Sequence, residues 1–165
     1  MAYHQNNMGK VLKMMENYDS FEDWPWPFVY KEAYERFPGS KFILTRRINE
    51  DVWFNSLNKH VESGAGEGFH YRKYIYGCDK PSDNRELHIH KYKEHNESVR
   101  QFFADKREQF IEVCWEEGDS WEKLCSFLGE LEPNTPFPHS NQYKQNFKIP
   151  FGKRLLGLYY SLVDK

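Results

Sequence analysis

The sequence predicts an α/β layer fold with a parallel sheet. Two short β-prone runs, residues 41–46 and 109–115, are bounded by turn residues. Segments with helical spacing alternate with them, the pattern of a layered α/β domain. Aromatic residues make up 18% of a 165-residue chain, which suits one domain with one substantial core.

The elements follow in order. Residues 9–17 carry Val11, Leu12, Met14 and Met15 at helical spacing and predict a short amphipathic helix. Pro27 is placed to open a helix, where its missing N–H costs nothing; that helix buries Phe28, Ala33, Tyr34 and Phe37 and stops at Pro38-Gly39. Lys41-Phe42-Ile43-Leu44-Thr45-Arg46 reads as a buried strand. Asn49 is a good N-cap for the next helix, with Glu50 and Asp51 in its first turn and Val52, Trp53, Leu57 and Val61 on one face. Strand, tight turn and helix in that order make half of a βαβ unit.

Residues 63–68, Ser-Gly-Ala-Gly-Glu-Gly, read as a plain loop, because no strand precedes them and no Gly-Lys-Ser/Thr ends them. After the aromatic residues 71–78, Asp79-Lys80-Pro81-Ser82 leads into a long helix over 84–106 that buries Leu87, Tyr92, Val99, Phe102 and Phe103. Residues 109–115 form the second strand. Asp119 and Glu122 show a capping-box pattern opening a helix over 121–128, with Gly129 as its stop. The Pro-rich residues 133–138 are irregular, and 151–163 predict a C-terminal helix on Leu155, Leu156, Leu158, Tyr159 and Leu162. Two strands are few for such a sheet, so the chain reads as lacking its first strand.

Composition narrows the function classes. A net charge of -2 provides no global basic field for nucleic acid. No apolar run is long enough to cross a bilayer, and the N-terminus has no hydrophobic signal region. Cys78, Cys114 and Cys125 are odd in number and lack metal-ligand spacing, so a reduced, cytoplasmic chain without a metal is expected. His88 and His90, two residues apart on a helix, point to different faces and cannot easily share an ion; His88 and His95 could lie near one face, but no carboxylate completes a zinc spacing.

Arg46-Arg47 ends the first strand, and ligands of open α/β sheets bind outside the carboxyl ends of strands. An arginine there, followed by a helix N-terminus, can hold phosphate through its planar fork and the unpaired N–H groups, with Ser56 adding a hydroxyl. The competing reading is a surface arginine pair bridged to Glu50 or Asp51. Asp23-Trp24-Pro25-Trp26-Pro27 is either a rigid packed turn in which Asp23 caps the next helix, or a pocket wall in which Asp23 is a general base.

These residues carry a resemblance. Asp23-Trp-Pro-Trp-Pro-Phe-Val-Tyr-Lys-Glu, Phe37-Pro-Gly-Ser-Lys-Phe-Ile-Leu-Thr-Arg-Arg, Trp53-Phe-Asn-Ser-Leu, Tyr92-Lys-Glu-His-Asn-Glu-Ser-Val-Arg-Gln-Phe-Phe, Gly118-Asp-Ser-Trp-Glu-Lys-Leu-Cys-Ser-Phe-Leu-Gly and Pro136-Phe-Pro-His-Ser-Asn resemble, in order, the motifs of a sulfotransferase family. The likeness runs from about Tyr3 to about Asn141. It implies a P-loop NTPase-like three-layer fold, N-terminally truncated here, because the family's first strand and glycine-rich phosphate-binding loop have no counterpart. It implies transfer of a sulfuryl group from the co-substrate 3′-phosphoadenosine 5′-phosphosulfate to a hydroxyl or amine of a small-molecule, carbohydrate or lipid acceptor. The positions that match the family's 3′-phosphate arginine and serine are Arg47 and Ser56. One extra residue lies between them, which makes Asn55 a rival to Ser56, and Ile48-Asn49 stands where Asp-Pro or Asn-Pro is usual. Asp23 occupies the place of the acceptor-side base, with His4 the weaker candidate. A chain without the loop is a fragment, a shortened gene product or one part of a split protein whose partner chain supplies that element. A non-catalytic binding or assembly protein on the same scaffold is the alternative. A nucleotide kinase is disfavoured by the absence of any Gly-Lys-Ser/Thr element.

Overall fold

A computed structural model describes residues 8–64 and 71–138 of the chain. Its elements run α1 (Met8–Met15), α2 (Tyr30–Arg36), β1 (Phe42–Thr45), α3 (Glu50–Glu62), α4 (Tyr71–Tyr76), α5 (Arg85–Phe102), β2 (Phe110–Val113) and α6 (Trp121–Leu128). All belong to a compact unit spanning residues 1–134; of a second unit, residues 135–165, the four described residues are irregular. The expected helix over 151–163 and most of the expected glycine-rich loop lie outside the described residues, as does His4.

The architecture is α/β, with helices beside a small parallel sheet. β1 and β2 pair in parallel, Phe42 beside Phe110 and Thr45 beside Val113. Parallel neighbours need a long crossover, and α3, α4 and α5 make it. Both predicted strands therefore exist and are partners. The ladder continues one residue past β1, where the Arg46 N–H donates to Val113 O at 2.9 Å.

The core gathers on one face of the sheet. Leu44, Val99 and Phe103 form its centre, with Tyr30, Tyr34, Phe42, Phe102 and Phe110 packed around them. Phe103 is 1% exposed, and its ring stacks on Phe110 with centroids 4.9 Å apart. Burying an aromatic of this size contributes about 1.5–3 kcal/mol. A hydrogen bond of 2.9 Å between Tyr30 Oη and Ser98 Oγ ties α2 to α5.

The expectation of a buried first strand needs correction. β1 alternates: Phe42 and Leu44 face the core, while Ile43 is 39% exposed and Thr45 is exposed. The period-2 pattern of a half-covered strand appears because only one face of β1 carries the core cluster. Helix boundaries also move. Pro27 sits in a 3-10 turn, Trp26–Phe28, and α2 starts at Tyr30 behind the fully buried Val29. α5 starts at the predicted place, with Asn84 Oδ1 accepting from Leu87 N–H at 3.1 Å. It stops four residues early, where Phe103 leaves the helix and the Lys106 ammonium bonds to Phe102 O at 2.7 Å. α4 was not anticipated; its Tyr-Arg-Lys-Tyr-Ile-Tyr sequence carries no capping signal.

Candidate functional site

The first link is the cap of α3. Asn49 is in extended conformation, and its Oδ1 accepts from Val52 N–H at 2.9 Å, as predicted. The cap fixes a tight turn, Arg46-Arg47-Ile48-Asn49, between β1 and α3. Because β1 and β2 end in register, this turn lies beside Cys114 and the 3-10 turn Trp115–Glu117 that follow β2. Next to it α5 supplies Tyr92, whose Oη accepts from Arg47 N–H at 3.1 Å. The Tyr92 ring stacks on Trp53 of α3, centroids 4.3 Å apart and 13° from parallel. Arg47 is thus held by its backbone between α3 and α5.

These elements border an open cleft of about 790 Å³ outside the carboxyl end of β1. Arg46, Arg47, Asn49, Tyr92, Lys93 and Arg100 are among its walls, and Glu50 and Glu112 join them. It is the position that the strand-end argument selects for a ligand.

The electrostatics are balanced rather than basic. Arg46 Nε bonds to Glu112 at 2.6 Å, its Nη2 is paired with Glu117, and its Nη1 donates to Arg47 O at 3.3 Å. Arg46 therefore acts as a clamp across the two strand ends. The Glu117 hydrogen bond raises its already high pKa further. Arg100 grips both oxygens of Glu112 at 2.7 and 2.9 Å. The Arg100 guanidinium, then that of Arg46, hold the Glu112 carboxyl below the ordinary glutamate range against the opposing effect of burial. Lys93 reaches Glu50 at 3.2 Å. Arg47 pairs through Nε with Glu116. Burial is the largest single influence on Glu116 and works against its ionisation, but the hydrogen bond and charge of Arg47, with hydrogen bonds from the Glu116 backbone and Cys114, together leave that carboxyl below its usual range. The arginines do form ion pairs, as the competing sequence reading held. Their partners, however, are Glu112, Glu116 and Glu117, while Glu50 and Asp51 pair with Lys93 and Arg85.

One predicted cap changes role. Asp119 does not cap α6, whose N-cap is Ser120 with no side-chain cap bond. Its Oδ2 accepts from Cys114 N–H at 2.7 Å and from Lys123 at 2.9 Å. Asp119 closes the end of β2 instead, by accepting from the N–H of Cys114, the residue after the last strand position.

The predicted site residues are only partly brought together. Arg47 lines the cleft. Asn55 and Ser56 sit on α3, both exposed, and neither is among the cleft walls. Asp23 is exposed in the turn before Trp26, where it adopts a left-handed φ of 61°, which aspartate tolerates better than most residues. Its carbonyl, not its carboxylate, accepts from Trp26 N–H, so the side chain caps nothing there. Trp24 beside it packs on Phe28 and Tyr76, and Tyr76 stacks on the fully buried His88 at 3.9 Å. His88 Nδ1 meets Asn84 O at 2.7 Å. Burial pushes the Tyr76 hydroxyl up to about 12 and lowers the pKa of His95. Among the described residues no group of His, Cys, Asp and Glu could hold a metal ion, and no helix is long and apolar enough to cross a membrane.

Sequence reasoning missed Tyr92 as a tether and the three glutamates as counter-charges. The glutamates were visible as Glu112, Glu116 and Glu117 around the end of a predicted strand. Only the parallel register shows that this end lies beside Arg46-Arg47.

No curated protein sequence matches this chain. A family model described as "Sulfotransferase domain" matches residues 2–146, a span that covers β1, its arginine pair, the Asn49 cap, Tyr92 and the turn after β2. That match covers most of the 165 residues, and the chain belongs to the sulfotransferase domain family.

Proposed function

We propose that this chain serves in sulfuryl transfer from 3′-phosphoadenosine 5′-phosphosulfate to a hydroxyl or amine acceptor, with Arg47 holding the donor's 3′-phosphate. The observation that carries this reading is the place of Arg47. It is tethered by Tyr92 at the carboxyl end of β1, in an open cleft beside the capped N-terminus of α3. The donor supplies an activated sulfuryl group; the chain's residues bind and orient it. Ser56 or Asn55, one to two turns into α3, would add a polar contact for a ligand that extends along that helix. Asp23 is the acceptor-side base in this reading, taking the acceptor's proton as its oxygen or nitrogen bonds to sulfur and 3′-phosphoadenosine 5′-phosphate leaves.

The link between β1 and α3 contains no glycine, and among the described residues no glycine-rich loop joins a strand to a helix. In this reading the 5′-phosphosulfate is therefore gripped by another segment or by a partner chain. The second reading, a non-catalytic binding protein on the same scaffold, is favoured by the pairing of each cleft arginine with a carboxylate. A sulfate-transfer assay separates the two, because the scaffold reading expects no turnover even with nucleotide bound.

Calorimetric titration with 3′-phosphoadenosine 5′-phosphate tests the donor site. Hydrogen bonds to a charged group are worth about 1.5–3 kcal/mol, so Arg47→Ala is expected to weaken binding roughly tenfold to a hundredfold. Absence of binding to the unaltered chain, or binding indifferent to Arg47→Ala, overturns the assignment.

A further inference from the structure

The turn after β2 carries two consecutive carboxylates, and both point their charge at the arginine pair on the neighbouring strand end. Glu117 meets Arg46, and Glu116 meets Arg47. The two arginines are not equivalent. Arg46 is engaged at Nε, Nη1 and Nη2, by Glu112, the Arg47 carbonyl and Glu117, which makes it part of the framework. Arg47 has one carboxylate partner among the described residues, and the contact is made through Nε. Arginine binds carboxylate or phosphate in the same way, through two parallel N–H groups of its planar fork. A carboxylate on Nε therefore occupies an edge that a phosphate would use.

Glu116 is also built to be exchangeable. It sits on a three-residue 3-10 turn rather than on a strand or a helix of any length. The turn closes on Gly118 at φ 93°, a left-handed conformation that glycine adopts without strain. Besides Arg47, the carboxylate is met by its own backbone N–H, which moves with it, and by Cys114 Sγ at 3.5 Å from Oε2, a weak thiol donor. The side chains of Arg47 and Glu116 are 38% and 29% exposed, so water reaches the pair and separation does not strand a buried charge.

We infer that Glu116 is an internal counter-ion of the cleft, which occupies the Arg47 fork when no ligand is bound and is displaced by a phosphate-bearing ligand. The inference rests on the reading of Arg47 as the phosphate-binding arginine. Its consequence is selectivity by charge. A monoanionic or carboxylate ligand exchanges one weak acceptor for another and gains little, whereas a phosphate dianion offers more charge and a third oxygen. Glu116 thereby raises the threshold that a ligand must clear, and Glu117, held by the framework arginine, does not.

The test is titration of the full chain with 3′-phosphoadenosine 5′-phosphate, and separately with adenosine 5′-monophosphate, in five forms: unaltered, Arg47→Ala, Glu116→Gln, Glu117→Gln, and Glu116→Gln combined with Arg47→Ala. A partly exposed ion pair is weak, so Glu116→Gln is expected to tighten 3′-phosphoadenosine 5′-phosphate binding about fivefold. Glu117→Gln is expected to change it less than twofold, and adding Arg47→Ala to Glu116→Gln should erase the gain. Adenosine 5′-monophosphate, which lacks the 3′-phosphate, should not respond to Glu116→Gln. Unchanged or weaker binding by Glu116→Gln, while Arg47→Ala still weakens the unaltered chain, overturns the counter-ion and leaves the donor site standing. A gain that survives Arg47→Ala also overturns it. No response to Arg47→Ala in either background fails the donor-site reading itself.

Discussion

Replacing Glu112 by glutamine tests whether the strand ends are held together by charge. The Glu112 carboxylate accepts from Arg100 at 2.7 and 2.9 Å and from Arg46 at 2.6 Å, so one side chain joins α5, β1 and β2. Glutamine keeps the shape and one acceptor oxygen but removes the charge and leaves two guanidiniums facing each other. A fully buried pair broken on one side costs about 3–5 kcal/mol, and an exposed one under about 1. With the Glu112 side chain 25% exposed, the expected cost lies between these, about 2 kcal/mol at pH 7. For a chain of this size that is a fall in Tm of roughly 4–8 °C in a calorimetric scan. The pH dependence gives the sharper result. Arg100 and then Arg46 depress the folded-state pKa of Glu112, so its contribution is complete above the unfolded glutamate value of about 4.3. The contribution is lost as pH falls through the lower folded value. The gap between the unaltered chain and Glu112→Gln should therefore be full at pH 7 and shrink to less than half near pH 3. A gap below about 0.5 kcal/mol at pH 7, or one that does not change on acidification, refutes the reasoning.

Two further substitutions probe the supports of the site. Phe103→Ala removes the ring at the centre of the core and should cost about 3–5 kcal/mol, seen as a urea midpoint lower by roughly 1.5–2.5 M; a shift below about 0.5 M would mean that Phe103 is not central. Tyr92→Phe keeps the stack on Trp53 but deletes the acceptor for Arg47 N–H, so a stability loss of about 1 kcal/mol and faster amide hydrogen exchange at Arg47 are expected; unchanged exchange there would remove Tyr92 as a tether.

Legibility followed the range of the interactions. The Asn49 cap, the start of α5 at Asn84 and the stop of α6 at Gly129 were readable because each is settled within four residues. The end of α5 was not, because Phe103 is drawn into a core assembled from α2, β1 and β2. The openness of one face of β1 was hidden for a related reason. Phe-Ile-Leu-Thr is apolar enough for a strand covered on both sides, and the number of covering elements is not written in four residues. In the candidate site, the pair Arg46-Arg47 could be placed at the strand end from strand and helix order alone. The tether of Arg47, Tyr92, lies 45 residues away and its counter-charge Glu116 lies 69 away, so both depend on the crossover and the register. Asp119 shows how a local rule fails. Its spacing to Glu122 fits a cap, yet its carboxylate bonds to the Cys114 N–H after β2, a partner that only the folded chain brings near.

That Asp119 contact has a consequence for how this molecule can vary. Asp119 joins the residue before the Trp115–Glu117 turn to the residue that leads into α6, and Lys123 steadies the joint from the helix. The turn is thus a short cassette fastened at its base. The strand below and the helix beyond keep this anchor whatever stands at position 116, so the charge presented to Arg47 can change with little effect on folding, whereas Glu117 remains tied to the framework arginine. Divergence among descendants of such a chain would then collect at position 116, with positions 114, 117, 119 and 123 holding steady.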